Sequence, residues 1–261
     1  TRLRVSGTVP GPIEFGGKVT GYFTSATGIT VYRGTALGDD FYGNLFVGDV
    51  ASNLVHRKQL TPAGVTFIAD RTEMEHEFLA STDTWFRPCN FANGPDGALY
   101  ICDIYREVVE HPASIPEIIK QHLDLTSGKD RGRIWRVTRD GAVPYKKPQL
   151  GKTSTAELVR SLCYRDAWWR ETAARLIFQR QDNSREVIVA LEGLALEDRP
   201  ETRVAALGAI EGLGALRTER VADALGDPSP DVREHALRLA ESRLAGTDSP
   251  QLRDRLIAMA D

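Results

Sequence analysis

The chain has 261 residues, 41% of them hydrophobic and 26% charged, an ordinary globular composition that suffices for one large domain or two modest ones and excludes disordered, collagen-like and low-complexity classes. Thirty-three basic against 36 acidic side chains leave a net charge of -3, so no global positive field argues for nucleic acid or an anionic membrane as a partner. The longest apolar runs fall far short of the roughly 20 residues that cross a bilayer, and the three cysteines lack CxxC, CxxCH or zinc-finger spacing, so neither a c-type haem nor a structural zinc site is encoded.

The opening stretch, Thr1-Arg-Leu-Arg-Val-Ser-Gly7, has no apolar core of the kind a secretory signal needs. The expectation is a cytosolic chain, an already processed one, or part of something longer. From there to about residue 145 the sequence is rich in glycine, aromatic and β-branched residues in short alternating runs, which predicts strands. Predicted strands cover residues 23–33, 43–50, 53–60 and 65–70. Residues 85–90, 97–104 and 133–138 repeat the first three, and the last unit has no fourth. The string Gly43-Asn-Leu-Phe-Val-Gly-Asp49 returns 54 residues later as Gly97-Ala-Leu-Tyr-Ile-Cys-Asp103, a period that fits a four-stranded propeller blade. Between them, Gly94-Pro-Asp-Gly97 predicts a tight turn: proline presets φ, aspartate accepts local amides and glycine tolerates the exit.

After Tyr145-Lys-Lys-Pro-Gln-Leu-Gly151 the composition turns to Ala, Leu, Arg and Glu with apolar residues three and four apart, which predicts helices. The fold class is therefore two-domain, all-β then all-α, with domains at 1–147 and 152–261. Ser154 with Glu157 and Asn183 with Glu186 have capping-box spacing, while Pro200, Pro230 and Pro250 suit first helical positions. About seven helices are expected, in hairpins too thin to bury their own apolar stripes, which must stack into a solenoid. Asp166 with Arg170, Asp198 with Arg203 and Asp227 with Arg233 recur in these hairpins. The pattern resembles HEAT repeats, and the resemblance implies structural roles for these six residues and a protein-interaction module.

The β half carries several unusual strings in order: Phe23-Thr-Ser-Ala-Thr-Gly28-Ile-Thr-Val-Tyr-Arg33, Asn53-Leu-Val-His-Arg57, Asp83-Thr-Trp85-Phe86-Arg87-Pro88-Cys-Asn90, Asp103-Ile-Tyr105-Arg106-Glu107-Val-Val-Glu110-His111-Pro112 and Asp130-Arg-Gly-Arg133-Ile-Trp-Arg136. Together they resemble the bacterial membrane-bound dehydrogenase family related to sorbosone dehydrogenase, in which a propeller precedes HEAT-like repeats. The resemblance implies a periplasmic or cell-surface enzyme that oxidises sugars or alcohols, using pyrroloquinoline quinone with calcium. Two departures stand beside it. A closed six-bladed propeller needs roughly 300 residues where the β half supplies about two blades, so catalytic completeness within this chain is not expected. The haem attachment motif that often accompanies the family is also missing. The alternative is a non-enzymatic propeller and HEAT scaffold.

The candidate ligand-binding residues are Arg87, Tyr105, Arg106, Glu107 and His111; no metal ligand set is assigned. Arg87, at a strand end, can clamp a carboxylate through its bidentate fork or pair with an acid of a neighbouring blade. Residues 105–130 are too long for a hairpin loop and hold Arg106, Glu107, Glu110, His111 and His122, groups able to ligate a metal or move protons; a His-Pro pair is equally a structural turn. Asp49 and Asp103 recur at equivalent positions, as scaffold residues do. His56 and His76 read as solvated. Cys89 and Cys102 lie on adjoining strands, near enough to bridge or simply to pack, and Cys163 reads as packed in a helix. Seven basic residues against two acidic ones between 129 and 147 read as a solvated hinge.

Overall fold

A computed structural model of the protein describes residues 23, 25–142, 147–244 and 249–259. The Thr1 to Gly7 stretch, Thr24 of the first expected strand and Tyr145 and Lys146 of the expected linker lie outside the described residues. The chain divides into two compact units, Thr1–Lys146 and Lys147–Asp261, the first built of antiparallel sheets and the second of helices.

In the first sheet the strand order is β1 (Ala26–Val31), β2 (Leu45–Asp49), β3 (Leu54–Ala63) and β4 (Thr66–Arg71), and β5 (Leu79–Ala80) pairs with the end of β3 that β4 leaves free. The second sheet runs β6 (Pro88–Asn93), β7 (Leu99–Asp103) and β8 (Arg133–Val137), with no fourth strand among the described residues. At two residues β5 is too short for an alternation signal, and it is absent from the sequence reading. The strand expected at 85–90 begins instead at Pro88, because Asp83 Oδ1 accepts the Trp85 amide at 3.0 Å and folds Trp85 into a turn.

The repeat is real and uneven. Residues Leu45 and Asp49 correspond to Leu99 and Asp103, but residues 32–44 join β1 to β2 where only 94–98 join β6 to β7, so the first connection is eight residues longer than its copy. Asp49 pairs with Leu54 and Asp103 with Arg133; the second unit therefore holds 25 additional residues between its second and third strands. This excursion includes the short helix α1 (Glu117–Lys120).

Close backbone approach joins the two sheets. A Cβ on Gly28 would lie 2.7 Å from Asn90 Cα, and one on Gly48 would lie 2.8 Å from the Pro88 oxygen, so only glycine fits either position. Thr27 Oγ1 donates to the Cys89 carbonyl at 2.9 Å, and Asn93 both accepts from the Arg33 amide and donates to the Val31 carbonyl. Phe46 and Val55 from one sheet share a core with Phe91, Leu99 and Ile101 from the other. The Gly94 to Gly97 turn closes as its residues require: the Gly97 amide donates to the Gly94 carbonyl, Asp96 Oδ1 accepts the Ala98 amide, and Gly97 takes φ +73°.

The helical unit comprises α2 (Thr155–Ser161), α3 (Ala167–Arg180), α4 (Arg185–Leu194), α5 (Pro200–Gly212), α6 (Thr218–Ala224), α7 (Pro230–Leu244) and α8 (Pro250–Ala258). Hairpins α2/α3, α4/α5 and α6/α7 stack, α3 on α5 and α5 on α7, while α2 packs on α4 and α6 on α8. One apolar cluster threads the whole unit from Leu150 to Leu252, which is the continuous core a stack of thin hairpins needs. Pro200, Pro230 and Pro250 each open a helix, and Ser154 with Glu157 forms the full capping box. The Asn183–Glu186 pair does not form a second box. Ser184 is the N-cap of α4, and its amide is held by Asp182 Oδ1. Cys163 sits in the turn after α2, half-buried, with its carbonyl accepting from Arg199.

The recurring arginines follow one rule. Arg170 donates to the carbonyls of Tyr164 and Arg165, Arg203 to those of Glu197 and Asp198, and Arg233 to those of Asp227 and Pro228. In each case the guanidinium reaches back to the turn before its own helix, supplying donors that the helix-end carbonyls lack. Arg203 also makes a two-pronged ion pair with Asp227 of the next hairpin, at 2.9 and 2.7 Å. Burial pushes the Asp227 carboxyl up; the Arg203 hydrogen bond and the Ser229 amide more than reverse it, leaving it below the ordinary value. Asp166 caps α3 through the Trp168 amide, while Asp198 contributes only its carbonyl.

Two measurements test this unit. Arg203→Ala strands the turn carbonyls and the Asp227 carboxylate, and should cost about 3 kcal/mol in urea unfolding followed by circular dichroism. Arg238→Ala, on the exposed pair with Glu234, should stay within about 0.5 kcal/mol. His235 on α7 is half-buried, its Nε2 lacks a partner, and burial followed by the Arg238 charge holds its pKa below the ordinary value. Its neutral form is the native one, so the stability it contributes is complete above the unfolded pKa of about 6.5 and fades as pH falls from there toward the folded value. His235→Gln should flatten that part of a pH–stability profile, and an unchanged slope would remove His235 as the cause.

Candidate functional site

The second strand of each sheet ends on a buried aspartate. Asp49 Oδ1 accepts the Ala51 amide at 3.0 Å, and Asp103 Oδ1 accepts the Tyr105 amide at 2.9 Å, the same turn in both copies. Asp103 carries more. Its Oδ1 also accepts the Arg87 amide at 2.9 Å, its Oδ2 accepts Trp135 Nε1 at 3.0 Å, and Arg133 Nε stands 3.3 Å from that oxygen. A carboxylate that gathers several donors holds its neighbours in register.

Arg87 leads into β6 and is 5% exposed. Its Nε donates to the Arg106 carbonyl at 2.9 Å, Nη1 to the Val50 carbonyl at 2.7 Å and Nη2 to the Glu107 carbonyl at 2.6 Å. Burial lowers its pKa, with Glu110, Asp103 and Asp49 supporting its charge. All three guanidinium nitrogens are thus engaged by main chain from the first sheet and from the base of the excursion. Arg87 holds the site together in place of reaching a ligand as its strand-end position suggests.

Around this rivet the excursion starts in a fixed pose. Tyr105 adopts φ +48°; its ring lies 5.5 Å from Trp85, and the Arg133 guanidinium sits 3.7 Å over its face, a cation–π contact. Gly128, at φ +84°, passes so near that a Cβ would come within 2.2 Å of the Tyr105 carbonyl. The Arg106 amide donates to the Trp85 carbonyl at 3.1 Å, while its guanidinium Nη1 is buried and has no partner. Glu107 contributes its carbonyl to Arg87 and exposes its side chain. His111 is exposed, and its Nδ1 accepts the Ala113 amide at 3.2 Å to start a 3-10 turn, Pro112–Ser114. Arg87, Tyr105, Arg106 and Glu107 therefore meet through main-chain bonds, while the His111 side chain bonds locally to the Ala113 amide.

An open hollow of about 420 Å³ lies at the excursion's base, lined by Cys102, Asp103, Ile104, Arg106, Lys129, Gly132, Arg133 and Ile134. Lys129 and Arg133 are missing from the sequence-derived set, although the basic run that contains them is visible; its reading as a solvated hinge overlooks that β8 and the excursion's return fold it against Arg106. Cys89 and Cys102 are free thiols. Cys89 sits at a β6 irregularity with its thiol on the Cys102 carbonyl, and burial, then the neighbouring Cys102, pushes its pKa up. His56 departs from the solvated reading: it is 3% exposed, with Nδ1 2.6 Å from Glu77 Oε2 and the Phe23 ring 5.1 Å away.

Among the described residues, no three His, Cys, Asp or Glu side chains stand together as a metal-binding group. Calcium takes six to eight oxygens, and the Asp103 oxygens already serve Arg87, Tyr105 and Trp135, so these residues do not form a calcium cage.

Two antiparallel sheets followed by a unit of stacked helical hairpins define a two-unit, β-then-α protein. The chain belongs to the family described as Domain of unknown function (DUF7133), whose model matches residues 4–141. No curated protein and no solved structure matches it.

Truncating the rivet tests its role. Arg87→Ala leaves the Val50, Arg106 and Glu107 carbonyls without this donor, the first two on half-buried residues, and should lower stability by about 3 kcal/mol in thermal or urea unfolding. A loss under about 0.5 kcal/mol would return Arg87 to the list of ligand-facing residues.

Proposed function

We infer that the chain is part of a sorbosone dehydrogenase-like oxidoreductase acting on sugars or alcohols, set in the periplasm or at the cell surface, with the helical stack as its HEAT-like protein-docking module. The observation that carries this reading is the 25-residue excursion. Three of the strings resembling that family's, 83–90, 103–112 and 130–136, meet at it, it departs from the otherwise repeated unit, and its base is pinned by Asp103 and Arg87 so that Arg106 borders an open hollow. Long ordered insertions on a rigid repeat are where binding groups concentrate. In this reading, pyrroloquinoline quinone and calcium are held by residues beyond those described, and quinone would supply the two-electron acceptor. This chain's part is to wall the cleft and orient substrate through Arg106, not to transfer the proton.

A non-enzymatic scaffold is favoured by one specific observation, the complete engagement of Arg87 by main-chain carbonyls. Titrating the full-length protein with pyrroloquinoline quinone and calcium, then following dye reduction with sugars and alcohols, separates the two. The oxidoreductase reading expects turnover, with Arg106→Ala raising KM by roughly tenfold or more and changing kcat little, as loss of one charge-assisted contact would. Absence of both cofactor binding and turnover would establish the scaffold reading instead.

A further inference from the structure

The charge balance of the hollow is one-sided. Three cations line it, Arg106, Lys129 and Arg133, against a single carboxylate, Asp103. That carboxylate is buried, already accepts from the Arg87 and Tyr105 amides and from Trp135 Nε1, and stands 3.3 Å from Arg133 Nε. The Arg106 main chain is held on both sides, its amide on the Trp85 carbonyl and its own carbonyl on Arg87 Nε, so the side chain leaves from a fixed point. Its Nη1 is buried without an acceptor, whereas Arg133 is already paired, its Nε 3.3 Å from Asp103 and its Nη2 donating to Asp83 Oδ2 at 3.3 Å. A buried guanidinium N–H with no acceptor is costly. An acceptor carrying negative charge relieves that cost and balances Arg106 and Lys129, while the Arg133 charge is shared with Asp83 and Asp103.

We propose that this hollow binds a small oxyanion, a carboxylate, phosphate or sulfate group, with Arg106 as its main donor and Lys129 and Arg133 completing the charge. The site does not depend on the oxidoreductase reading. Ile134, 69% exposed, and Ile104, 41% exposed, border the same hollow, so the group bearing the anion lays an apolar or C–H face on them. Lys129, exposed on the return of the excursion, sets the charge without bearing on the fold.

Isothermal titration of the full chain with inorganic phosphate, sulfate and acetate, referenced to chloride at equal ionic strength, tests the assignment. Saturable binding of at least one oxyanion is expected, weakened about tenfold or more in Arg106→Met and in Lys129→Met. If Arg106→Met fails to fold, Lys129→Met carries the test, since its melting profile without ligand should match the parent chain. A preference for phosphate and sulfate assigns an ester or inorganic anion, and one for acetate assigns a carboxylic acid. Heats indistinguishable from chloride, or binding unchanged in the folded variants, would overturn the site.

Discussion

A buried guanidinium donating to main-chain carbonyls is the contact on which both units rest. Turns and helix ends leave carbonyls that no regular ladder reaches, and burying them unpaired costs on the order of 1–3 kcal/mol each. Arg87 satisfies three such groups where the two sheets meet the excursion. Arg170, Arg203 and Arg233 each satisfy two at successive turns of the helical stack. Arginine suits this work because its planar fork spans several acceptors while its charge is never lost. Lysine, a single point of charge, cannot hold three carbonyls in three directions.

Within the β unit that constraint ranks the residues. Asp103 fixes the amides of Arg87 and Tyr105, Arg87 then gathers the carbonyls of Val50, Arg106 and Glu107, and the excursion emerges from this knot already oriented. Asp49 makes the same local turn but gathers no comparable insertion, since only residues 50–53 separate it from Leu54. One repeated aspartate thus closes a short turn in the first copy and supports a 25-residue departure in the second. Divergence of a repeat at one loop, with the scaffold residue kept, is how a regular architecture acquires a site without losing its core.

The consequence for function is a division of labour. Residues with the most distinctive sequence context, Arg87 and Asp103, are consumed by architecture, and the chemistry is left to side chains that the architecture orients but does not satisfy. Arg106 is the clearest of these, pinned by its backbone and open at its guanidinium. His111, whose imidazole invites an acid–base role, is committed to a local turn and faces solvent.

Much of this protein is legible from residue order alone. The 54-residue return of the Gly-to-Asp string predicts two copies of one strand pair, and alternation places seven strands close to where they lie. Proline and the Ser154–Glu157 pair locate helix starts, because capping is settled within a few residues. The second capping box fails for an equally local reason: Asp182 and Ser184 offer a competing turn one residue away. Contacts between distant segments are another matter. The sequence shows an arginine before a strand, a long polar loop and a basic run, and nothing in their spacing says that Arg87 faces inward to carbonyls 20 and 37 residues away, that His56 is buried on Glu77, or that Lys129 and Arg133 return to Arg106. Propensity and periodicity act over one turn or one strand; which polar groups are taken out of water, and which are left wanting a partner, is decided only when the sheets close on each other.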